Sequence, residues 1–557
     1  MASKSNGEAD VVISPETTIA ALPPRDEKQN ASDSPALSAR AEPVAETKTD
    51  TDPASSHGFK WWFAYASVLS TVLLFAIDGT IVADIQPSIV DSLGEVDKLP
   101  WIGVAISLGT VAILPHGKAL GVFNVKWYFL AMVFGFEVGS AICGAAPTMN
   151  VMIGGRFIQG FFGCGVYAGG LTVVAMSTTN RERALYFSGI VAVYGIGSVI
   201  GPVIGGAFAE SAATWRWSFY INLVVFAAFL PGFLFCIPSL NPVDLPFKDK
   251  VLSQDWVGFL IWEAGTACYA MALTFGGIYY PFNSGSEIAL WVVTGVLLIV
   301  FVLVTIYHPF VSEKNRLYPA HFVKRYELMI LQYMMFACAG TMYTAIYYTP
   351  LIFQFTRGDG PLQAGVRLLP LMCMLVFFSI LNGALMPRLG YYAPWYIFGN
   401  SVILAGSTLM FTLNKTTSDS AIYGYTALIG MGVGSFLTAS VAIAQAMVDT
   451  SDSSNAVGAL VGAQNVGAIT FLGVSGSIYG NVGVRLLGQV LPDMPAADLL
   501  QLTTGTHSPL YESLSAELQS EISRQVTFAI RDSFGIVVAA SALGLIASLF
   551  LVRRKVY

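Results

Sequence analysis

From Lys60 onward the chain is a succession of apolar stretches of about twenty residues or more, separated by short polar breaks. At a rise of about 1.5 Å per residue, each can cross a hydrocarbon core of about 30 Å as a helix. The pattern predicts helices over 61–86, 100–120, 127–146, 150–178, 184–209, 217–238, 255–276, 287–308, 327–353, 363–386, 394–413, 421–447, 455–482 and 527–551, fourteen in all. Longer polar breaks fall at 241–250 and 313–325. Trp61, Trp62, Trp101, Trp127, Trp256, Trp291 and Trp395 lie near predicted ends, where an amphipathic ring suits the membrane interface. Residues 1–58 are unlike the rest. They are rich in Ser, Thr, Pro, Ala, Glu and Asp, lack apolar periodicity, and read as a disordered tail without a secretory signal. The stretch 484–526 is the longest polar connection between helices, with an amphipathic helix expected near 510–526.

Composition sharpens this into an all-α polytopic membrane protein. Of 557 residues, 54% are hydrophobic and 11% charged, against about 25% charged in soluble domains; the mean hydropathy is +0.63. A net charge of −6 supplies no basic footprint for nucleic acid. Cys143, Cys164, Cys236, Cys268, Cys338 and Cys373 all sit in apolar runs without a CxxC pair, so they suggest neither a disulfide framework nor a zinc site. The five histidines are scattered, and no cofactor, metal or enzyme constellation is expected. Positive charge fixes the orientation. With the tail inside, the inner side collects Lys60, Lys118, Lys126, Arg181, Arg183, Lys248, Lys250, Lys314, Arg316, Lys324, Arg325, Arg388 and Arg553-Arg554-Lys555; the outer side has Lys98, Arg357, Arg367, Lys415, Arg485 and Arg524. Both termini are therefore expected in the cytoplasm, as an even helix number requires. Asn414-Lys415-Thr416 is a glycosylation sequon on a loop this orientation places outside.

Within 195–222, Gly197, Gly201 and Gly205 recur every four residues and stack bare backbone along one side of a helix, with Pro202 and Gly206 beside them. So much glycine suits a membrane helix that must approach another closely.

Short motifs then carry a resemblance. The run Gly197 to Gly206 (GSVIGPVIGG) is similar to the fifth-helix antiporter motif of the major facilitator superfamily, and Gly155-Arg156-Phe-Ile-Gln159-Gly160 to its fourth-helix motif. Ile77-Asp78-Gly-Thr80-Ile81-Val82 resembles the first-helix signature of the fourteen-helix drug:proton antiporter family, and Trp215 to Asn222 (WRWSFYIN) its entry to helix six. Phrases such as SAICGAA (140–146) and FNVKW (123–127), with the long last outer loop, look most like fungal secondary-metabolite and mycotoxin efflux pumps. The resemblance covers 60–552. It implies a major-facilitator fold of two six-helix bundles with two inserted helices: a bundle over 59–240, a linker carrying the additional pair over 241–312, a second bundle over 313–552 and a cytoplasmic end at 553–557. The loop after helix two departs from the family's pattern. Gly121 and Val125 stand where the family has an Asp and an Arg of a cytoplasmic latch, and Lys118 and Lys126 alone cannot replace them. Gly383-Ala-Leu385-Met-Pro-Arg388-Leu-Gly390 is a partial echo of that loop in the second half.

An unpaired charge at mid-bilayer costs at least about 2.5–3.5 kcal/mol, so each intramembrane charge is a functional candidate. Asp78, Arg156 and Glu137 are the proton-coupling candidates, with a structural hydrogen-bonding role for Asp78 left open. Gln159, Tyr347 and Gln464 are weaker candidates for substrate contact. Asp84 is expected to face solvent, Glu263 to be a packed or protonated acid in the inserted pair, and Glu210 with Arg216 to form a surface ion pair. The glycine stripe is expected to slide against a helix of the opposite bundle. The reading is a proton-coupled exporter of a hydrophobic or amphipathic small organic molecule, monomeric, in the plasma membrane or alternatively the vacuolar one. Import of an iron chelate or nutrient, and a non-transporting sensor, are the alternatives.

Overall fold

In the computed structural model the described residues are 58–551, apart from 95–97, 99, 210, 278–279, 314, 450–451 and 504–508. The tail and the 553–557 end lie outside them. Thirteen helices among the described residues are long and apolar enough to cross a membrane. In chain order the first six spans are Phe59–Val82, Trp101–Leu120, Val125–Ala145, Met149–Ser177, Glu182–Ala209 and Trp217–Phe235; the seventh and eighth are Trp256–Phe275 and Gly285–Tyr307. The ninth and tenth are Tyr326–Arg357 and Gln363–Leu389. The helix Ala393–Met410 follows as the eleventh; it is less apolar than the others, with Asn400 buried at its middle. Asp419–Met447, Ser453–Val490 and Ala516–Leu549 complete the series.

Local chemistry sets the ends. Asn124, Thr148, Asp255, Ser284, Ser418 and Ser515 each accept a hydrogen bond from a backbone N–H in the first turn that follows, which satisfies a donor with no intrahelical partner. Gly358 and Gly390 take the left-handed conformation that closes the ninth and tenth spans. The amphipathic helix expected near 510–526 is Ala516–Ser533, which buries Ile522, Val526 and Ile530 and leads directly into Gly535–Leu549. The polar connection therefore ends earlier than the sequence pattern implies.

Helix contacts repeat between the halves. In the first half the first span packs on the fifth and sixth, the fourth on the second and third, and the third on the sixth. In the second half the ninth packs on the thirteenth and fourteenth, the twelfth on the tenth and eleventh, and the eleventh on the fourteenth. These are the same pairings shifted by eight spans: two six-helix bundles of one design. The bundles meet along two seams, the fifth span against the tenth and the second against the thirteenth. The inserted seventh span packs on the second seam, and the eighth packs chiefly on the seventh with Val292, Val296, Leu298 and Ile299 exposed.

The second span is broken. Helix Pro100–Thr110 ends and Ile113–Leu120 begins after a turn, where Pro115 has no N–H to give the Val111 carbonyl four residues back. Carbonyl oxygens freed inside a membrane must find other donors. Asn465 of the thirteenth span donates to the Thr110 carbonyl (2.8 Å) and Trp262 of the seventh to the Val111 carbonyl (3.0 Å). One helix break thus ties together both bundles and the inserted pair.

Candidate functional site

The first bundle holds a fully buried polar cluster in its outer half, "outer" being the side away from the start of the first span. Asp78, Arg156, Gln159, Ser140 and Asn222 are each no more than 1% exposed. The Arg156 guanidinium donates to the Asp78 carboxylate (2.7 Å), to the Asp78 carbonyl (3.1 Å) and to Gln159 Oε1 (3.0 Å). Gln159 Nε2 donates to Asp78 Oδ1 (3.1 Å) and to Ser140 Oγ (2.9 Å). Asn222 Nδ2 donates to the same hydroxyl (3.0 Å). Arg156 lies over the Phe219 ring, 5.8 Å from its centroid. Four helices converge here because the fourth-span motif places Arg156 and Gln159 on one face and its glycines let neighbours close in. A Cβ at Gly155 would sit 2.6 Å from Cys143 Sγ, and one at Gly160 would strike the second-span backbone at Ile106. An ion pair enclosed this way is charge-neutral and hydrogen-bonded, which offsets the desolvation cost that either charge alone would carry.

Glu137 belongs to the same region but not to the network. It is 3% exposed, neither carboxylate oxygen has a hydrogen-bond partner among the described residues, and it lies near enough to Asp78 for the two acids to interact electrostatically. Arg156 Nε and Asn222 Oδ1 are also buried and unpartnered. Glu263 lies apart on the seventh span, with one buried oxygen unpartnered.

The glycine stripe faces the first span of its own bundle, and the expectation that it meets the opposite bundle is corrected. A Cβ at Gly197 would lie 2.8 Å from Ala76 Cβ and 2.9 Å from the Leu73 carbonyl; at Gly201, 2.9 Å from the Ile77 carbonyl; at Gly205, 2.8 Å from Ile81 Cγ1. Gly206 meets nothing within 4 Å. Pro202 is inside the helix, its side chain outside the described residues. The spacing identified a close-packing face but carried no information about its partner. Gly201→Ala is accordingly expected to cost about 1–3 kcal/mol by overpacking and to lower thermal stability in detergent, whereas Gly206→Ala should leave the melting temperature unchanged. Equal effects from the two would contradict this packing.

The inner end, where the first span begins, is closed by backbone contact. A Cβ on Gly117 of the second span would come 2.5 Å from Gly458 Cα of the thirteenth. The echo motif does the same on the other seam: a Cβ on Gly383 of the tenth span would lie 2.9 Å from the Ala184 carbonyl and Leu185 Cα of the fifth. Ser188 Oγ donates to the Ser379 carbonyl (2.8 Å) across this seam. Gly121 faces Ser454 across the gap, and buried Lys118 donates to Asn455 Oδ1 at 3.4 Å. Lys126 instead donates within its own bundle, to the Leu234 carbonyl (2.6 Å). Where the family has an Asp–Arg latch, close backbone packing and the Lys118–Asn455 contact join the bundles here.

Between the bundles, Tyr194 and Tyr343 share a hydrogen bond of 2.8 Å across the seam. Tyr167, Thr438 and Gln464 line a gap of about 10 Å³, at the lower limit for one water. Tyr347 is 60% exposed and does not line that gap. Gln159, Tyr347 and Gln464 therefore do not form one site: Gln159 is engaged in the ion-pair cluster. Arg216 donates to the Gly144 and Ala146 carbonyls (2.8 Å each) and ties down the end of the third span. Glu210 and the Asp84 side chain lie outside the described residues. Asn414 is exposed, and its Oδ1 accepts from Thr416 N (2.9 Å) and Oγ1 (2.7 Å). Among the described residues no group of three His, Cys, Asp or Glu could hold a metal. Ser140 escaped the sequence reading because small hydroxyls are common in membrane helices, and Asn222 because it stood only as the last letter of a motif.

The model of the Major Facilitator Superfamily matches residues 68–472. The chain is 45% identical over 91% of its length to "Efflux pump DEP3" of Fusarium langsethiae, covering 92% of that protein. It is 46% identical over 90% to "Efflux pump DEP3" of Alternaria brassicicola, covering 90% of it. To "MFS-type transporter pgmG" of Aspergillus terreus it is 37% identical over 93%, covering 97%. Among solved structures it resembles the human organic anion transporter MFSD10 (TETRAN), with a TM-score of 0.54 and 14% identity over 80% of this chain and 99% of that one; that likeness is one of fold. The chain belongs to the major facilitator superfamily, and it is a multi-pass membrane protein.

Proposed function

We propose that this protein is a proton-coupled exporter of largely apolar small organic molecules, of the kind fungi make as secondary metabolites. The carrying observation is the enclosed cluster around Asp78 and Arg156 inside a fold whose relatives are named efflux pumps. Export proceeds by alternating access, the bundles rocking about the layer of Tyr167, Tyr194, Tyr343 and Gln464. That layer offers rings, hydroxyls and an amide without a charged side chain, which suits a neutral molecule held by apolar contact and a few directional hydrogen bonds. Proton and substrate would favour opposite states, so that each promotes release of the other. The inner closure at Gly117 and Gly458 is the state in which the outer side would open. The protein would act as a monomer in the plasma membrane, both termini in the cytoplasm and Asn414 outside.

Comparing metabolites inside and outside cells with and without the gene identifies the substrate. Added to sealed vesicles bearing the purified protein, that compound should drive proton movement opposite to its own. Substrate movement with no proton movement would remove the coupling, and accumulation in the cytoplasm of cells that carry the gene would reverse the direction.

A further inference from the structure

We propose that Glu137 is the side chain that takes up and returns the transported proton, and that Asp78 and Arg156 are the fixed ion pair beside which it does so. This rests on the proton coupling proposed above and assigns its two roles to different residues. Each oxygen of the Asp78 carboxylate already has a donor, Arg156 Nη1 at 2.7 Å and Gln159 Nε2 at 3.1 Å, and Arg156 Nη2 holds the Asp78 backbone carbonyl at 3.1 Å. Its charge is cancelled by a guanidinium that does not deprotonate. Adding a proton to Asp78 would strand Arg156 as a lone cation in a site 1% exposed, and that is the most costly arrangement open to a buried pair.

Glu137 is in the opposite condition. Both its oxygens are buried without a donor, so in this state the side chain is the neutral acid. Of the charged groups on neighbouring spans, Asp78 lies near enough to act on it electrostatically, and Arg156, the ion-pair partner of Asp78, carries a buried Nε–H with no acceptor. Arg216 is engaged with two carbonyls at the end of the third span. Uptake forms one O–H bond on Glu137 with a proton from outer water; release breaks that bond and returns the proton to cytoplasmic water.

Two measurements test this. Infrared difference spectra of the purified protein across a pH titration should show the C=O stretch of a buried protonated carboxylic acid. Glu137→Gln should remove it, and Asp78→Asn should not. In vesicles, using the substrate found by metabolite profiling, Glu137→Gln should lose at least about ten-fold of substrate-driven proton movement while keeping substrate exchange in the absence of a gradient. An infrared band that survives Glu137→Gln overturns the assignment, and so does proton movement equal to the parent's. If the parent moves substrate without protons, the coupling falls while the spectra still report on Glu137. If Glu137→Gln cannot be purified, Glu137→Asp decides: a shifted band supports the assignment and an unshifted one overturns it.

Discussion

Replacing Arg156 with alanine is expected to be the most damaging single change in the first bundle. The substitution leaves the Asp78 carboxylate buried at 1% exposure with neutral amide donors such as Gln159 and without a cation. Removing one partner of such a pair costs about 3–5 kcal/mol, a large share of the roughly 5–15 kcal/mol that holds a typical domain folded. Fluorescence-detected size-exclusion chromatography should show a loss of monodisperse protein and a lower melting temperature. Lysine at 156 should rescue only in part, because an ammonium cannot reproduce the forked contact to Asp78 and Gln159. The double substitution Asp78→Asn with Arg156→Gln removes both charges and should recover most of the folded protein. An Arg156→Ala protein as stable as its parent would show that the pair contributes little.

The second large effect is expected at Gly117. Leucine there cannot coexist with Gly458 at the present separation, since even a Cβ would stand 2.5 Å from the opposing Cα. The bundles must then part at their inner ends. Overpacking on the scale of about 1–3 kcal/mol corresponds to a shift of about 5–150-fold between the two states. Export should fall by a comparable factor while membrane insertion and yield stay near parental levels. A maleimide directed at Ser454→Cys, which faces Gly121 across the gap, should react faster in the Gly117→Leu background. Unchanged labelling would mean that this contact does not hold the inner side shut. Leucine at Gly383 should act similarly on the other seam, since its backbone neighbours lie as close.

The helical frame was legible because a bilayer imposes one simple demand, about twenty apolar residues per crossing, and the chain meets it with little ambiguity. The Asp78 and Arg156 partnership was half legible: two charges in apolar runs must be compensated, and the motifs pointed to both, but the roles of Ser140 and Asn222 depend on which helix faces which. The break at 110–112 had a mark in Pro115, whose missing N–H frees the Val111 carbonyl, but the groups that stabilise it, Asn465 and Trp262, are distant in sequence and were not legible. The glycine stripe misled for a related reason. A four-residue period reports a small-residue face, and only the packing reveals that Ala76, Ile77 and Ile81 of the first span occupy it. The loss of the charged latch was visible as two missing letters, whereas the close packing that joins the bundles there was not, since Gly458 lies in another bundle.

The seventh span makes two like halves into an unlike whole. Its Trp262 holds the second span at Val111 and its Tyr269 meets Thr470 of the thirteenth at 2.9 Å, while Leu273 fills the space above Gly473. It acts as a splint laid along one of two otherwise equivalent joints. When the bundles rock, that joint must carry an extra helix with it, and the fifth–tenth joint has no such load among the described residues. If the bundles rock as proposed, the swing is expected to be narrower at this splinted edge than on the bare side.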